Sequence, residues 1–149
     1  MLLLDDFQGI RSVDWVAGTA PFYRREVFDK IGLFDESFLM YNEDVEFNLR
    51  MRSGTDYKRC MFPDKLVVHY VVPSIPRSDS SYFISRNIVI LSMRYARRYV
   101  PRILLHNLSQ IGHLLVLAVK KMDINYLLSY PHIIRGTIDG LIRHQNDQP

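Results

Sequence analysis

The decapeptide Tyr41-Asn42-Glu43-Asp44-Val45-Glu46-Phe47-Asn48-Leu49-Arg50 constrains this chain more than any other stretch. Three carboxylates follow directly on the apolar run Phe38-Leu39-Met40-Tyr41, so groups that resist burial adjoin groups that seek it. With Asn42 as N-cap, Glu43, Asp44 and Glu46 would occupy the first turn of a helix, where free N–H groups and the helix dipole favour negative charge. Taken by spacing alone, ordinary helix-starting chemistry accounts for such a cluster more readily than catalysis does. The period is ambiguous, because Val45, Phe47, Leu49 and Met51 alternate as in a strand. A helix buried on two sides would read the same way.

With 149 residues, 48% hydrophobic and 23% charged, the chain suits one globular domain with a modest core. Its single cysteine, Cys60, excludes an intrachain disulfide framework and fits a reducing compartment. It is predicted to be a small core residue without chemistry. Met1-Leu2-Leu3-Leu4-Asp5-Asp6 is too short and too acidic for a signal peptide. Charge is unevenly spread. Residues 1–76 carry nine Lys/Arg against twelve Asp/Glu, whereas residues 77–149 carry ten against four. An acidic front and a basic back imply different partners for the two regions.

Residues 13–18 read as a short strand ending at Gly18, and 20–24 as a second extended piece. Arg24 to Ile31 reads as a helix closed by Gly32 at C′. Phe34-Asp35-Glu36-Ser37 is a turn into the central stretch, which stops near Ser53-Gly54. Two strands are expected at 57–62 and 65–71, with a turn at Pro63-Asp64. After a loop holding Pro73 and Pro76, Tyr82 to Tyr99 is predicted as a helix stopped by Pro101, which would sit in the first turn of the next one. That next helix shows a seam at Leu104, Leu108, Ile111, Leu115 and Ala118. Asp123 would cap a third helix kinked at Pro131, with Ile134, Ile138, Leu141 and Ile142 on one face, and a frayed tail from Gln145.

The segments Val13-Asp14-Trp15-Val16-Ala17-Gly18, Arg24-Arg25-Glu26-Val27-Phe28, Ile31-Gly32-Leu33-Phe34-Asp35-Glu36, the acidic decapeptide and Phe62-Pro63-Asp64 with Val67-Val68-His69-Tyr70 follow one another in a set order. In that order and spacing they resemble the C-terminal half of family 2 glycosyltransferases with the GT-A fold, above all the bacterial rhamnosyltransferase-like group. The resemblance covers roughly residues 12 to 100 and implies an α/β, partial GT-A fold. Short mixed-sheet strands with a catalytic helix would be followed by a C-terminal bundle of about three helices. Residues 1–77 would form the acceptor-side and catalytic half, and residues 78–149 a helical, membrane-associated region.

Carried over position by position, the resemblance makes Asp44 the general base, with Glu43 beside it. His69 becomes a metal ligand, Asp14, Trp15 and Gly18 contact the acceptor, and Arg77 and Ser78 contact the donor diphosphate. By residue type alone, other readings stand. His69 would be a hydrogen-bonded core histidine, Trp15 a large core residue and Arg77 a solvated loop arginine. The run Tyr70-Val71-Val72-Pro73-Ser74 also departs from the family, which has a glycine shortly after the histidine.

The resemblance implies an inverting enzyme that moves a sugar from a UDP- or dTDP-sugar to a lipid-linked or polysaccharide acceptor. A divalent cation, Mg or Mn, would neutralise the departing diphosphate. In the family that cation needs an Asp-x-Asp pair from an α/β nucleotide-binding half, and this sequence holds neither. Asp5-Asp6 lies only nine residues before Trp15, too close to serve. The chain is therefore expected to be an incomplete enzyme, inactive alone, with an upstream half-protein as the partner that completes it and a homo-oligomer as the outcome of its exposed strand edges.

For the basic back half, the expectation is a cytoplasmic protein peripheral to the inner face of the cytoplasmic membrane. Packing of its helices on one another is the plainer alternative. Ile103 to Val119 is too short and too polar for a spanning helix. Nucleic-acid binding is not expected, because no aromatic residues interleave the basic ones in a known pattern. A non-catalytic membrane-associating or scaffold module is the alternative to an enzyme.

Overall fold

The computed structural model describes residues 9–62, 67–70 and 78–146. They contain two short strands, β1 (Arg11–Ser12) and β2 (Cys60–Met61), and five α-helices. The helices are α1 (Arg25–Ile31), α2 (Glu43–Gly54), α3 (Ser78–Tyr95), α4 (Val100–Lys121) and α5 (Tyr130–Asn146). Short 3-10 turns occur at Glu36–Phe38, Arg97–Tyr99 and Ile124–Ser129. The chain divides into two compact units, Met1–Ser37 with Glu43–Val72, and Phe38–Asn42 with Pro73–Pro149. The expected division fell at 77/78 and left Phe38–Asn42 in the first region.

In the first unit, the acidic decapeptide is helical from Glu43 onward, which resolves the ambiguous period. Phe47, Asn48 and Met51 are buried on one side and Glu46 beside them, so the alternation of apolar residues was incidental. Asn42 does not have the extended backbone of an N-cap; its φ is 65°. The core joins Val27 of α1 to Phe47 and Met51, with Tyr23, Phe28, Ile31 and Tyr57 around them. Phe34 stacks on Phe47 at 4.4 Å between ring centres, and Tyr23 meets the same ring edge-on at 5.0 Å. Burying Phe47 completely contributes roughly 1.5–3 kcal/mol.

Arg50 ties this core to the end of α1. Its guanidinium pairs with the buried Glu46 one turn earlier at 3.0 Å, and it also donates to the carbonyls of Ile31 and Leu33. Those carbonyls lie at the C-terminal end of α1, where intrahelical partners run out. Gly32, with φ 78°, turns the chain out of α1 and donates its N–H to the Phe28 carbonyl, as its C′ position required.

The expected strands are shorter than the pattern suggested. β1 and β2 pair antiparallel, with Arg11 opposite Met61 and Ser12 opposite Cys60. Residues 13–18 are not a strand beyond the bond from Val13 N–H to the Arg59 carbonyl. Side chains of α2 hold that segment instead of a neighbouring strand. Within 57–62 only Cys60 and Met61 are paired, and the described residues 67–70 have no regular structure. The predicted turn at Pro63-Asp64 and the remaining residues of 65–71 lie outside the described residues, as does the Pro73–Pro76 loop.

In the second unit, α3 packs most closely on α5. Gly136 and Gly140 make this possible. A Cβ on Gly136 would stand 2.3 Å from the Tyr82 carbonyl oxygen, and one on Gly140 would stand 2.7 Å from that of Arg86. α5 therefore turns its small face inward, around Ile133, Gly136 and Gly140, and leaves Ile134, Ile138 and Ile142 exposed. These isoleucines share one face, as expected, and it is the outward one. The buried side chain of Asn107 on α4 donates to Thr137 Oγ1 of α5 at 2.9 Å and to the Ser85 carbonyl of α3 at 3.3 Å. The completely buried Asn87 donates to the carbonyls of Phe38, Met40 and Tyr41, fixing a loop in which Leu39 and Tyr41 have positive φ.

Several helix limits move. The predicted helix from Tyr82 to Tyr99 begins at Ser78 and ends at Tyr95, where Ala96 (φ −150°, ψ 49°) leaves helical geometry. Pro101 lies in the first turn of α4, as its missing N–H favours. Pro131 is the second residue of α5 and kinks nothing. Asp123 caps the 3-10 turn at Ile124–Ser129, accepting from Asn125 N–H at 2.9 Å. α5 continues past Gln145 to Asn146. The predicted seam of α4 falls within one arc of the helix, with Leu104, Ile111 and Ala118 half-buried and Leu108 (63%) and Leu115 (46%) exposed. The residues of α4 that are buried are Asn107 and Leu114.

Candidate functional site

Asp44 and Asn48 stand four apart on α2 and so share a face. Val16 and Gly18 stand two apart on the extended segment opposite. The Asn48 side chain accepts from Val16 N–H at 3.1 Å and donates to the Val16 carbonyl at 3.1 Å, so one amide replaces both bonds of a β-pair. It also donates to the Asp44 carbonyl at 2.7 Å. Asp44 Oδ2 accepts from Gly18 N–H at 2.7 Å, and Asp44 Oδ1 accepts from Val45 N–H at 2.8 Å. Both carboxylate oxygens are thereby oriented, and each keeps acceptor capacity for a further hydroxyl.

Gly18 is needed at this contact for space. A Cβ there would lie 3.2 Å from Asp44 Cβ and 3.4 Å from its Cγ. Tyr23 borders the same face. Burial pushes its hydroxyl pKa above the ordinary 10.0; the Asn48 side chain opposes that shift and the Asp44 charge adds to it.

The segment clipped by α2 lines a cavity of about 1250 Å³ within the first unit. Trp15, 51% exposed, supplies an apolar wall, with Tyr57 also lining the space. Asp14, Arg24, Lys58 and Arg59 bring charges of both signs. Asp14 is solvent-exposed, with Arg52 at 4.0 Å, a separation at which a surface pair contributes little. An aromatic face beside hydrogen-bonding charged groups suits a polyhydroxylated ligand.

Thus Asp44 and Gly18 come together, while Asp14 and Trp15 line a cavity whose wall includes neither Asp44 nor Gly18. Glu43 sits in the first turn of α2, and its Oε2 is buried without a hydrogen-bond partner. His69 is exposed, so the core-histidine reading is excluded. Among the described residues no three His, Cys, Asp or Glu side chains gather where they could hold a metal ion. These residues therefore do not fit a divalent cation site by themselves. Arg77 lies outside the described residues, and Ser78 is the first residue of α3. Sequence reading missed Asn48, whose signal was an amide between Phe47 and Leu49 in an apolar alternation.

The chain is similar to N-acetylglucosaminyl-diphospho-decaprenol L-rhamnosyltransferase of Mycobacterium tuberculosis, in the CDC 1551 / Oshkosh and ATCC 25618 / H37Rv strains alike. Identity is 32% over 72 residues, which cover 48% of this chain and 23% of each relative. The chain thus matches about a quarter of the length of these curated relatives. The partial match supports a glycosyltransferase-like relationship for the matched segment. No protein-family model matches the chain, and no solved structure does.

Proposed function

We propose that the chain carries the acceptor-side, catalytic part of an inverting family 2 glycosyltransferase with a partial GT-A fold. The observation that carries this reading is the Asp44 carboxylate, fixed by Gly18 N–H at the end of the segment whose Asp14 and Trp15 line the cavity. Asp44 takes the proton of the acceptor hydroxyl as that oxygen attacks the anomeric carbon of a nucleotide sugar, a UDP- or dTDP-sugar. The nucleoside diphosphate leaves from the opposite face, and the configuration inverts. Positioning rather than strong basicity supplies the base's effect. Trp15 stacks on a ring of the acceptor, a lipid-linked sugar or polysaccharide, while Asp14 accepts its hydroxyls. The similarity to a rhamnosyltransferase supports the same reaction class.

An exchange tests this reading. The matched 72 residues of the mycobacterial enzyme are replaced by their counterparts from this chain. The exchanged enzyme is expected to retain sugar transfer, and Asp44→Asn within it to lower kcat by roughly a hundredfold or more. An active exchange whose Asp44→Asn form turns over within a few-fold would remove Asp44 from the mechanism.

A further inference from the structure

α4 has three faces, and helix packing explains only one of them. Asn107 and Leu114 are buried, with Ile103, Ile111 and Ala118 half-buried alongside. A second face carries Arg102, His106, Ser109, Gln110 and His113, all exposed. Between these runs an exposed apolar stripe of Leu105, Leu108, Leu115, Val116 and Val119, with Gly112 at its centre. At 100° per residue, these positions fall within one arc of the helix surface. Val119 is 77% exposed, and apolar exposure continues beyond the helix at Met122, Ile124 and Leu128.

Charge identifies what covers the stripe. No carboxylate occurs between Asp79 and Asp123, a segment that holds Arg86, Arg94, Arg97, Arg98, Arg102, Lys120 and Lys121. Arg97, Arg98 and Arg102 are exposed at one end of α4, and Lys120 and Lys121 at the other. A second copy pairing stripe to stripe, in either direction, would bring cations against cations. An anionic lipid surface meets both features, accepting the apolar stripe between acyl chains and the cations at its headgroups.

Spanning is the other way for such a helix to use lipid. Against the expectation for Ile103 to Val119, the longer helical run Arg97–Lys121 is long and apolar enough to cross a membrane by length and composition. Crossing would put His106, Gln110 and His113 into hydrocarbon without partners. We propose that α4 lies in the plane of an anionic membrane surface, its Leu105–Val119 stripe facing inward and its terminal arginines and lysines at the phosphates. This holds whether or not the chain transfers sugar.

Flotation of the 149-residue protein with phosphatidylcholine vesicles, with and without phosphatidylglycerol, tests it. The anionic vesicles are expected to recover at least about tenfold more protein, with high salt cancelling the difference. Alkaline carbonate is expected to strip the bound protein. Leu105→Gln/Leu108→Gln/Val116→Gln alters exposed side chains only. It should keep the helical circular dichroism and lose flotation, and Arg98→Gln/Lys120→Gln/Lys121→Gln should weaken it. Recovery equal on neutral vesicles, resistance to carbonate, or full flotation of the folded triple-Gln variant would overturn the proposal. So would a wild type that stays unbound, or a dimer in sedimentation that the same triple-Gln substitutions dissociate.

Discussion

Asn48 holds Val16 by both its N–H and its carbonyl, each at 3.1 Å, so a helix side chain takes the part of a β-strand. Asn48→Ala would leave both Val16 groups and the Asp44 carbonyl without this partner. The expected loss is roughly 2–3 kcal/mol, read as a lowered urea midpoint. Asn48→Asp keeps the acceptor but removes the donors and should fare no better. A midpoint unchanged in both variants would mean that Val16 is held by something else.

Gly18→Ala tests the contact with the proposed base. The methyl group would arrive 3.2 Å from Asp44 Cβ, so the carboxylate must yield by a few tenths of an ångström. The stability cost should stay near 1 kcal/mol. In the exchanged enzyme kcat should fall by about tenfold with little change in donor KM, because misplacing a base costs rate rather than binding. Unaltered kcat would separate Gly18 from the chemistry.

Arg50→Ala should be among the most damaging single changes in the first unit. It strands the buried Glu46 carboxylate and frees the Ile31 and Leu33 carbonyls at the end of α1. Breaking such a pair costs roughly 3–5 kcal/mol, with the lower end expected because Arg50 is itself partly exposed. Arg50→Ala/Glu46→Gln should recover part of the loss. Calorimetric melting of the four proteins measures the coupling.

Three glycines should respond to alanine in opposite directions. Gly136→Ala and Gly140→Ala drive a methyl group into the α3 backbone and should each cost about 1–3 kcal/mol. Gly112, in the middle of α4, has nothing within 4 Å of an added Cβ. Gly112→Ala should therefore stabilise the protein by about 0.5–1 kcal/mol through helix propensity. Thermal melts that rank the three otherwise would contradict the close approach of α3 and α5.

Alkaline pH should unfold the chain sooner than neutral pH. Tyr23 is raised above 10.0 by burial first, and Tyr82 by burial and then by its hydrogen bond to Asp139 at 2.8 Å. A tyrosine whose folded pKa exceeds its unfolded one keeps its proton longer when folded. Its contribution is complete below pH 10 and is lost as pH rises through the folded value. Stability measured against pH should fall above that point, and Tyr82→Phe should flatten the fall.

How much of this was legible beforehand varied with the range of the forces involved. The helix at Arg24–Ile31, its closing Gly32 and the acid-rich first turn of α2 follow from propensity and capping, which act over a few residues. Position in a motif was enough to nominate Asp44 and Gly18, and tertiary structure joined them through one hydrogen bond. The strand expected at 13–18 failed because the backbone N–H and carbonyl of Val16 are met by the side-chain amide of Asn48 on a helix, 32 residues away, and not by a neighbouring strand. Sequence also marked a seam holding Leu108 and Leu115, since periodicity shows that a stripe exists but not which neighbour covers it. The backbone approach at Gly136 and Gly140 decided that question. With α5 drawn against α3, Asn107 and Leu114 became the buried side of α4, and Leu105, Leu108 and Leu115 were left facing outward.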